Sequence, residues 1–198
     1  AQNLPVRGVE NTHVLTLVDR EPSNPDHPSQ SEFTLAFTKL SPWTLIEILG
    51  MNEAQQSRFF AAYDLGRRLL ADLGIFPVKK DAASELAALE WDEMEAGYPH
   101  LTLAVLIDVV STCLAKARKS ENTLWLSDTL RADKDAKTKL VSLVEAAQLE
   151  GNAPSWMKVS GMLWKLHRLK IFDRKDAGQL DVRQMLQPGR ITIIDLSD

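Results

Sequence analysis

The chain has one cysteine, Cys113, in 198 residues. A single thiol excludes a disulfide framework within the chain and fits a reducing compartment, so a cytoplasmic location is expected. No apolar run approaches the ~20 residues that a membrane span needs. No basic stretch followed by an apolar one opens the chain, so no secretory leader is expected, and the missing initiator Met suggests an excised piece. Neither sign of charge dominates. The 23 Lys and Arg against 27 Asp and Glu leave −4, which gives no general push toward nucleic acid, although a local patch could. Glycines are few and scattered singly, and no Gly-x-x-x-x-Gly-Lys-Ser/Thr loop is among them. No strand-like run ends in an Asp-Glu pair able to hold magnesium and position water. Internal repeats and low-complexity tracts are also missing. The remaining composition, 44% hydrophobic and 25% charged, belongs to a globular chain of one domain or a domain with an appendage.

Periodicity divides the chain into three parts: 1–40, 41–178 and 179–198. In the first, Val14 to Val18 reads as a strand. Glu32 to Thr38 alternates, with Phe33, Leu35 and Phe37 on one side, and reads as a half-buried strand. Arg20 to Ser31 carries Pro22, Pro25 and Pro28 and reads as a loop. The two strands could pair across it as a long-looped antiparallel hairpin. The second part is helical. Ser41-Pro42 looks like a cap followed by proline at the first helical position, for a short helix ending at Gly50. Asn52 with Gln55 looks like a capping box for a helix carrying Phe59, Tyr63 and Leu70 inward and stopping at Gly74. Asp81 heads a third helix with an acidic outer side. Leu101 to Lys119 is apolar nearly all round, so it belongs in the middle of a bundle. Thr123 to Ser127 fits a short strand or a helical turn alike. Asp133 to Glu150 and a helix capped by Ser155, running from Trp156 to about Ile171, complete the part. In the third, Pro188-Gly189 marks a turn. Ile191, Ile193 and Ile194 after it read as a buried strand of an α/β core, expected to pair with the first strand or across a symmetry axis.

The order of these pieces carries a family likeness. Phe33 to Pro42 reads Phe-Thr-Leu-Ala-Phe-x-x-Leu-Ser-Pro, and Leu45 to Gln55 reads Leu-x-x-Ile-Leu-Gly-Met-Asn-Glu-x-Gln. Leu163 to Phe172 reads Leu-x-x-Leu-x-x-Leu-x-x-Phe. Leu186 to Ser197 reads Leu-x-Pro-Gly-Arg-Ile-Thr-Ile-Ile-Asp-Leu-Ser. This resembles the central region of HerA-type ATPases, relatives of the FtsK DNA pumps. The sharpest piece is Pro188 to Ser197. The resemblance implies a mainly helical bundle with a small β-element, an α+β insertion that belongs to a RecA-like P-loop NTPase core. It also implies a hexameric ring motor on double-stranded DNA, acting with a nuclease in end resection or with an effector in antiviral defence, and no membrane. ATP and magnesium would serve the full-length protein. With both phosphate-handling elements missing from these residues, no cofactor site and no catalytic residue are expected in this stretch. Asp195 would lie on the strand before the Asp-Glu strand and is given no catalytic role.

Other residue clusters were weighed for chemistry of their own. His13, His27, His100 and His167 lie far apart in sequence with no Cys at ligand spacing, so no metal site is expected. Glu90, Asp92, Glu93 and Glu95 could form paired carboxylates, but a solvated acidic helix face is the simpler reading. Cys113 sits in an apolar helix and packs as a small hydrophobe. The basic segment 156–190 holds eight cations and three acids, a net +5 that leaves −9 on the other residues. Lys158, Lys165 and Arg168 share a helix face, and Lys170 and Arg190 follow. These five are candidate contacts to DNA phosphates or to an acidic neighbouring subunit, against the plainer reading of a solvated face. A stand-alone helical interaction module with no enzymatic activity is the alternative function.

Overall fold

A computed structural model of the chain describes residues 11–77, 97–149 and 152–196. About half of the described residues are helical, and four strands form a small parallel sheet, an α+β arrangement. Contacts divide it into two compact units. One joins the residues up to Ala36 with those from Lys170 onward, and the other is Phe37–Leu169.

The first unit is built on β1 (Thr12–Leu17), β2 (Gln30–Thr34), β3 (Gly178–Gln179) and β4 (Ile191–Asp195), with the short helix α7 (Val182–Met185) between β3 and β4. The order across the sheet is β3-β2-β1-β4 and every pairing is parallel. The expected antiparallel hairpin is therefore wrong. Residues 18–29 give the dozen needed for a parallel crossover, and their three prolines withhold the donors that a hairpin ladder would use. Asp19 turns the chain out of β1 at φ 62°, and Val14 N–H donates to Ser29 O at 2.9 Å where β2 begins.

β2 is shorter than its alternation promises, because Leu35 leaves the ladder. Leu35 N–H donates to Ile171 O at 2.8 Å and Asp173 N–H to Leu35 O at 2.9 Å, while Phe37 falls in a 3-10 turn, Phe37–Lys39. Burial does not alternate along β2: its first three residues are exposed, and Phe33 and Thr34, which point to opposite faces, are both buried. On one face Leu15, Leu17 and Phe33 make a small core, with Leu35, Ile171, Leu180 and Met185 packed against it.

The pairing of the last strand with the first holds, Thr12 opposite Ile191 and Val14 opposite Ile193. The expected burial does not. Ile191, Ile193 and Ile194 are 45%, 46% and 40% exposed. β4 is the edge strand, so only β1 covers it from the side.

The second unit holds α1 (Pro42–Leu49), α2 (Glu53–Asp72), α3 (Leu103–Arg118), α4 (Asp128–Ala132), α5 (Lys134–Ala146) and α6 (Ala153–Arg168). Their starts follow from local chemistry. Ser41 Oγ accepts from Thr44 N–H at 3.1 Å. Asn52 and Gln55 form a reciprocal capping box, both bonds 3.0 Å. Thr102 caps α3. α6 starts earlier than its Ser155 suggested. Asn152 is the cap, and Ser155 N–H donates to its side chain at 3.3 Å. Pro154 in the first turn loses no helical bond, so the helix tolerates it. Thr123 to Leu126 is neither strand nor helix, and Ser127 caps α4, which the sequence pattern did not announce. The acidic helix expected from Asp81 lies outside the described residues.

α3 is central, as its all-round apolarity requires: it packs against α2, α5 and α6. Leu106, Val109, Val110 and Cys113 have no exposed surface, and burial pushes the Cys113 thiol up to about 12. α6 buries Trp156, Val159 and Leu163. Gly66 of α2 lets Leu101 approach, since a Cβ there would meet Leu101 Cδ1 at 2.7 Å. Lys116 of α3 closes α5, donating to Val144 O, Glu145 O and Ala147 O at 2.7, 3.1 and 2.8 Å, which satisfies carbonyls the helix end leaves open.

Asp108 of α3 is 1% exposed and tethers the segment after the helix. Its carboxylate accepts Leu126 N–H at 2.7 Å, Ser127 N–H at 2.9 Å and Ser127 Oγ–H at 2.7 Å. Burial holds its pKa above the ordinary carboxylate value, against the pull of those three donors. An amide offers one acceptor oxygen and turns its own N–H toward donors. Asp108→Asn is therefore expected to cost about 1–3 kcal/mol in chemical denaturation. A carboxyl whose folded pKa is raised binds its proton earlier in the folded chain, so protonation stabilises. The stability gap between the natural chain and Asp108→Asn should widen as pH falls through the window just above the ordinary carboxylate value. A gap that narrows there would contradict the burial-dominated environment.

Candidate functional site

In open parallel sheets, ligands favour the crevice outside the carboxyl ends of the strands. Here that end presents Asp19 after β1 and Asp195 closing β4. Neither carboxylate is idle. Asp195 accepts Ser23 N–H at 2.7 Å and Ser23 Oγ–H at 3.2 Å, pinning the proline-rich crossover to the edge strand. Asp19 pairs with Arg174 Nη1 at 3.1 Å and Lys170 Nζ at 3.7 Å. Arg174 also grips Asp176, with Nε donating to Oδ1 at 2.9 Å. That contact is the main reason Arg174 is raised and Asp176 lowered from their usual pKa values, with Asp19 adding to the rise in Arg174. The carboxylates at this end serve as anchors for loops. Among the described residues no group of three or more His, Cys, Asp and Glu side chains is placed to hold a metal ion.

A cleft of about 300 Å³ opens in the first unit along the face that carries Leu15 and Phe33. Register builds it: Thr192 lies opposite His13 across β1 and β4, and Ser31 lies opposite Leu15 across β1 and β2. Gln179 and Asp181 line it from the β3 side, and Arg190 from the turn before β4. His13 is fixed at both ring nitrogens, Nδ1 2.8 Å from Ser29 Oγ and Nε2 2.9 Å from Ser31 Oγ. His27 Nδ1 lies 2.9 Å from Ser29 O, so two histidines that are apart in sequence share one serine. Burial, then the Arg190 and His27 charges, hold His13 below the ordinary imidazole value. Thr192 Oγ1 donates to Met185 O at 2.9 Å. Arg190 Nη1 donates to Gln187 Oε1 at 3.0 Å, while its Nε–H is buried without a partner.

The five basic candidates are divided between the two units. Lys158, Lys165 and Arg168 stand exposed along α6 in the helical unit, and Lys170 and Arg190 belong to the sheet unit. Lys170 faces Asp19 and Arg190 lines the cleft. α6 contains no acid, and no ion pair engages its three cations among the described residues. Residues 90–95 of the acidic cluster lie outside the described residues. Asp108, Arg174 and the His13–Ser31 pair carried no sequence signal of their own, because each is defined by neighbours distant in the chain.

No helix of the described residues is long and apolar enough to cross a membrane. The chain matches no protein-family model, no curated protein and no solved structure.

The exposure of Lys158, Lys165 and Arg168 sets an expectation. Reversing all three to Glu should shift folding stability by no more than about 0.5 kcal/mol per site, measured by thermal or urea denaturation. A larger loss would mean that the stripe is packed against something within the chain.

Proposed function

We propose that these residues are the helical insertion and flanking core strands of a HerA-type, ring-forming ATPase that translocates double-stranded DNA. The observation that carries this reading is the state of β4. It is a parallel edge strand whose isoleucines point to both faces, yet Ile191, Ile193, Ile194 and Leu196 are all 40% exposed or more. A parallel strand of that composition suits a sheet covered on both faces and continued at its edge. A motor core would supply further strands and helices there, together with the phosphate loop and the Asp-Glu strand that these residues lack. The placement of a helical unit between β2 and β3 of an all-parallel sheet agrees with an insertion. In this reading the segment is not catalytic alone, and the hexameric ring, ATP, magnesium and DNA belong to the whole protein. The exposed cations of α6 would then meet a neighbouring subunit or the duplex.

A second reading, a helical interaction module without enzymatic activity, is favoured by a different surface. Trp43 is 53% exposed with its ring 4.7 Å from Phe60, beside Tyr63, Asp64 and Arg67. Aromatic and arginine side chains of this kind anchor protein interfaces.

Two measurements separate the readings. The chain as given should show no saturable binding of ATP in equilibrium dialysis, and micromolar affinity would remove it from the insertion position. The coding sequence on either side should encode a phosphate loop upstream and a strand ending in Asp-Glu downstream. Flanks without either leave the interaction module as the surviving reading.

A further inference from the structure

We infer that the cleft beside β1 and β4 is a binding site for a small monocarboxylate with an apolar body, anchored by Arg190. This inference does not rest on the translocase reading.

The cleft is polarised by the strand order. Arg190 and Thr192 approach from the β4 side, with His13 next to them on β1. Its carboxylate, Asp181, comes from the β3 side. β3 and β4 are three strand spacings apart, about 14 Å, so the basic end and the acidic end are separate places. The electrostatics at His13 agree: Arg190 and His27 act on it, and neither Asp181 nor Glu32 counts among the causes of its shift. His13 is held below the ordinary imidazole value, and Arg190 supplies the permanent positive charge of this end.

Arg190 has donors to spare. A guanidinium carries five N–H groups, and among the described residues Nη1 to Gln187 Oε1 is the one side-chain hydrogen bond it makes. A guanidinium is planar, and its paired N–H donors fit a carboxylate with two parallel bonds. Arg190 lines the same cleft as the apolar side chains of Leu15, Phe33, Leu180 and Met185, which offer contact to a hydrocarbon body. The volume, about 300 Å³, suits a small molecule.

The test uses benzoate, acetate and inorganic phosphate as probes on the whole 198-residue chain at constant ionic strength, read by NMR at the His13 ring. Benzoate should shift the His13 signals saturably and raise the His13 pKa, because an anion on Arg190 offsets the charge that depresses it. Acetate should bind at least tenfold more weakly than benzoate, having no ring for the apolar floor. Arg190→Gln should weaken benzoate at least tenfold, Arg190→Lys should recover part of the loss, and Asp181→Asn should leave binding intact or tighten it. Shifts that rise linearly without saturation in the natural chain would overturn the site. So would benzoate affinity unchanged in a folded Arg190→Gln. Phosphate binding tighter than benzoate would overturn the carboxylate assignment.

Discussion

The parallel pairing of β1 with β4 is the constraint on which the sheet unit depends. It joins residues 12–16 to residues 191–195, so the intervening chain must leave the sheet and return to the same end. Parallel neighbours cannot be joined by a tight turn. The chain meets that demand in three ways: a proline-rich crossover from β1 to β2, the whole helical unit between β2 and β3, and α7 between β3 and β4. Each crossover carries its own fastening. Ser23 on Asp195 holds the first, the Leu35–Ile171 and Asp173–Leu35 bonds close the second, and Thr192 on Met185 O holds the third.

The same pairing decides what faces the cleft. A register one residue away would set His13 opposite Ile191 or Ile193 and part it from Thr192. The polar end of the cleft is thus a property of register, and Arg190 reaches it because its turn leads directly into β4. The helical unit solves a different problem. α3 is apolar on every side and must be surrounded, and α2, α5 and α6 surround it. The one carboxylate inside it, Asp108, is tolerated because three donors from the segment after the helix converge on it.

The sheet and the bundle also differ in how completely they bury apolar surface. In the bundle Leu106, Leu140, Val159 and Leu163 are fully enclosed. In the sheet the last strand keeps four aliphatic side chains at the surface. That contrast underlies the proposal that the sheet is extended by other core strands. The charge pattern decides less: no ion pair engages the basic side of α6 among the described residues.

Local chemistry made several elements readable from the residues alone. Ser41-Pro42, the Asn52–Gln55 box and the nearly all-round apolarity of Leu101 to Lys119 dictate helix starts and a central helix, because capping and periodicity act within a few residues. The strands β1, β2 and β4 were readable as strands for the same reason, with β2 overextended past Thr34. Their direction was not, since a run of β-branched residues is equally content in a parallel or antiparallel ladder. Nor was the exposure of β4, which depends on its edge position, or the company of Arg190, His13 and Thr192, which depends on register across some 180 residues of chain. The sequence determined which segments could form structure. The tertiary structure alone decided which of them meet, because pairing and burial are set by contacts between residues that no local pattern links.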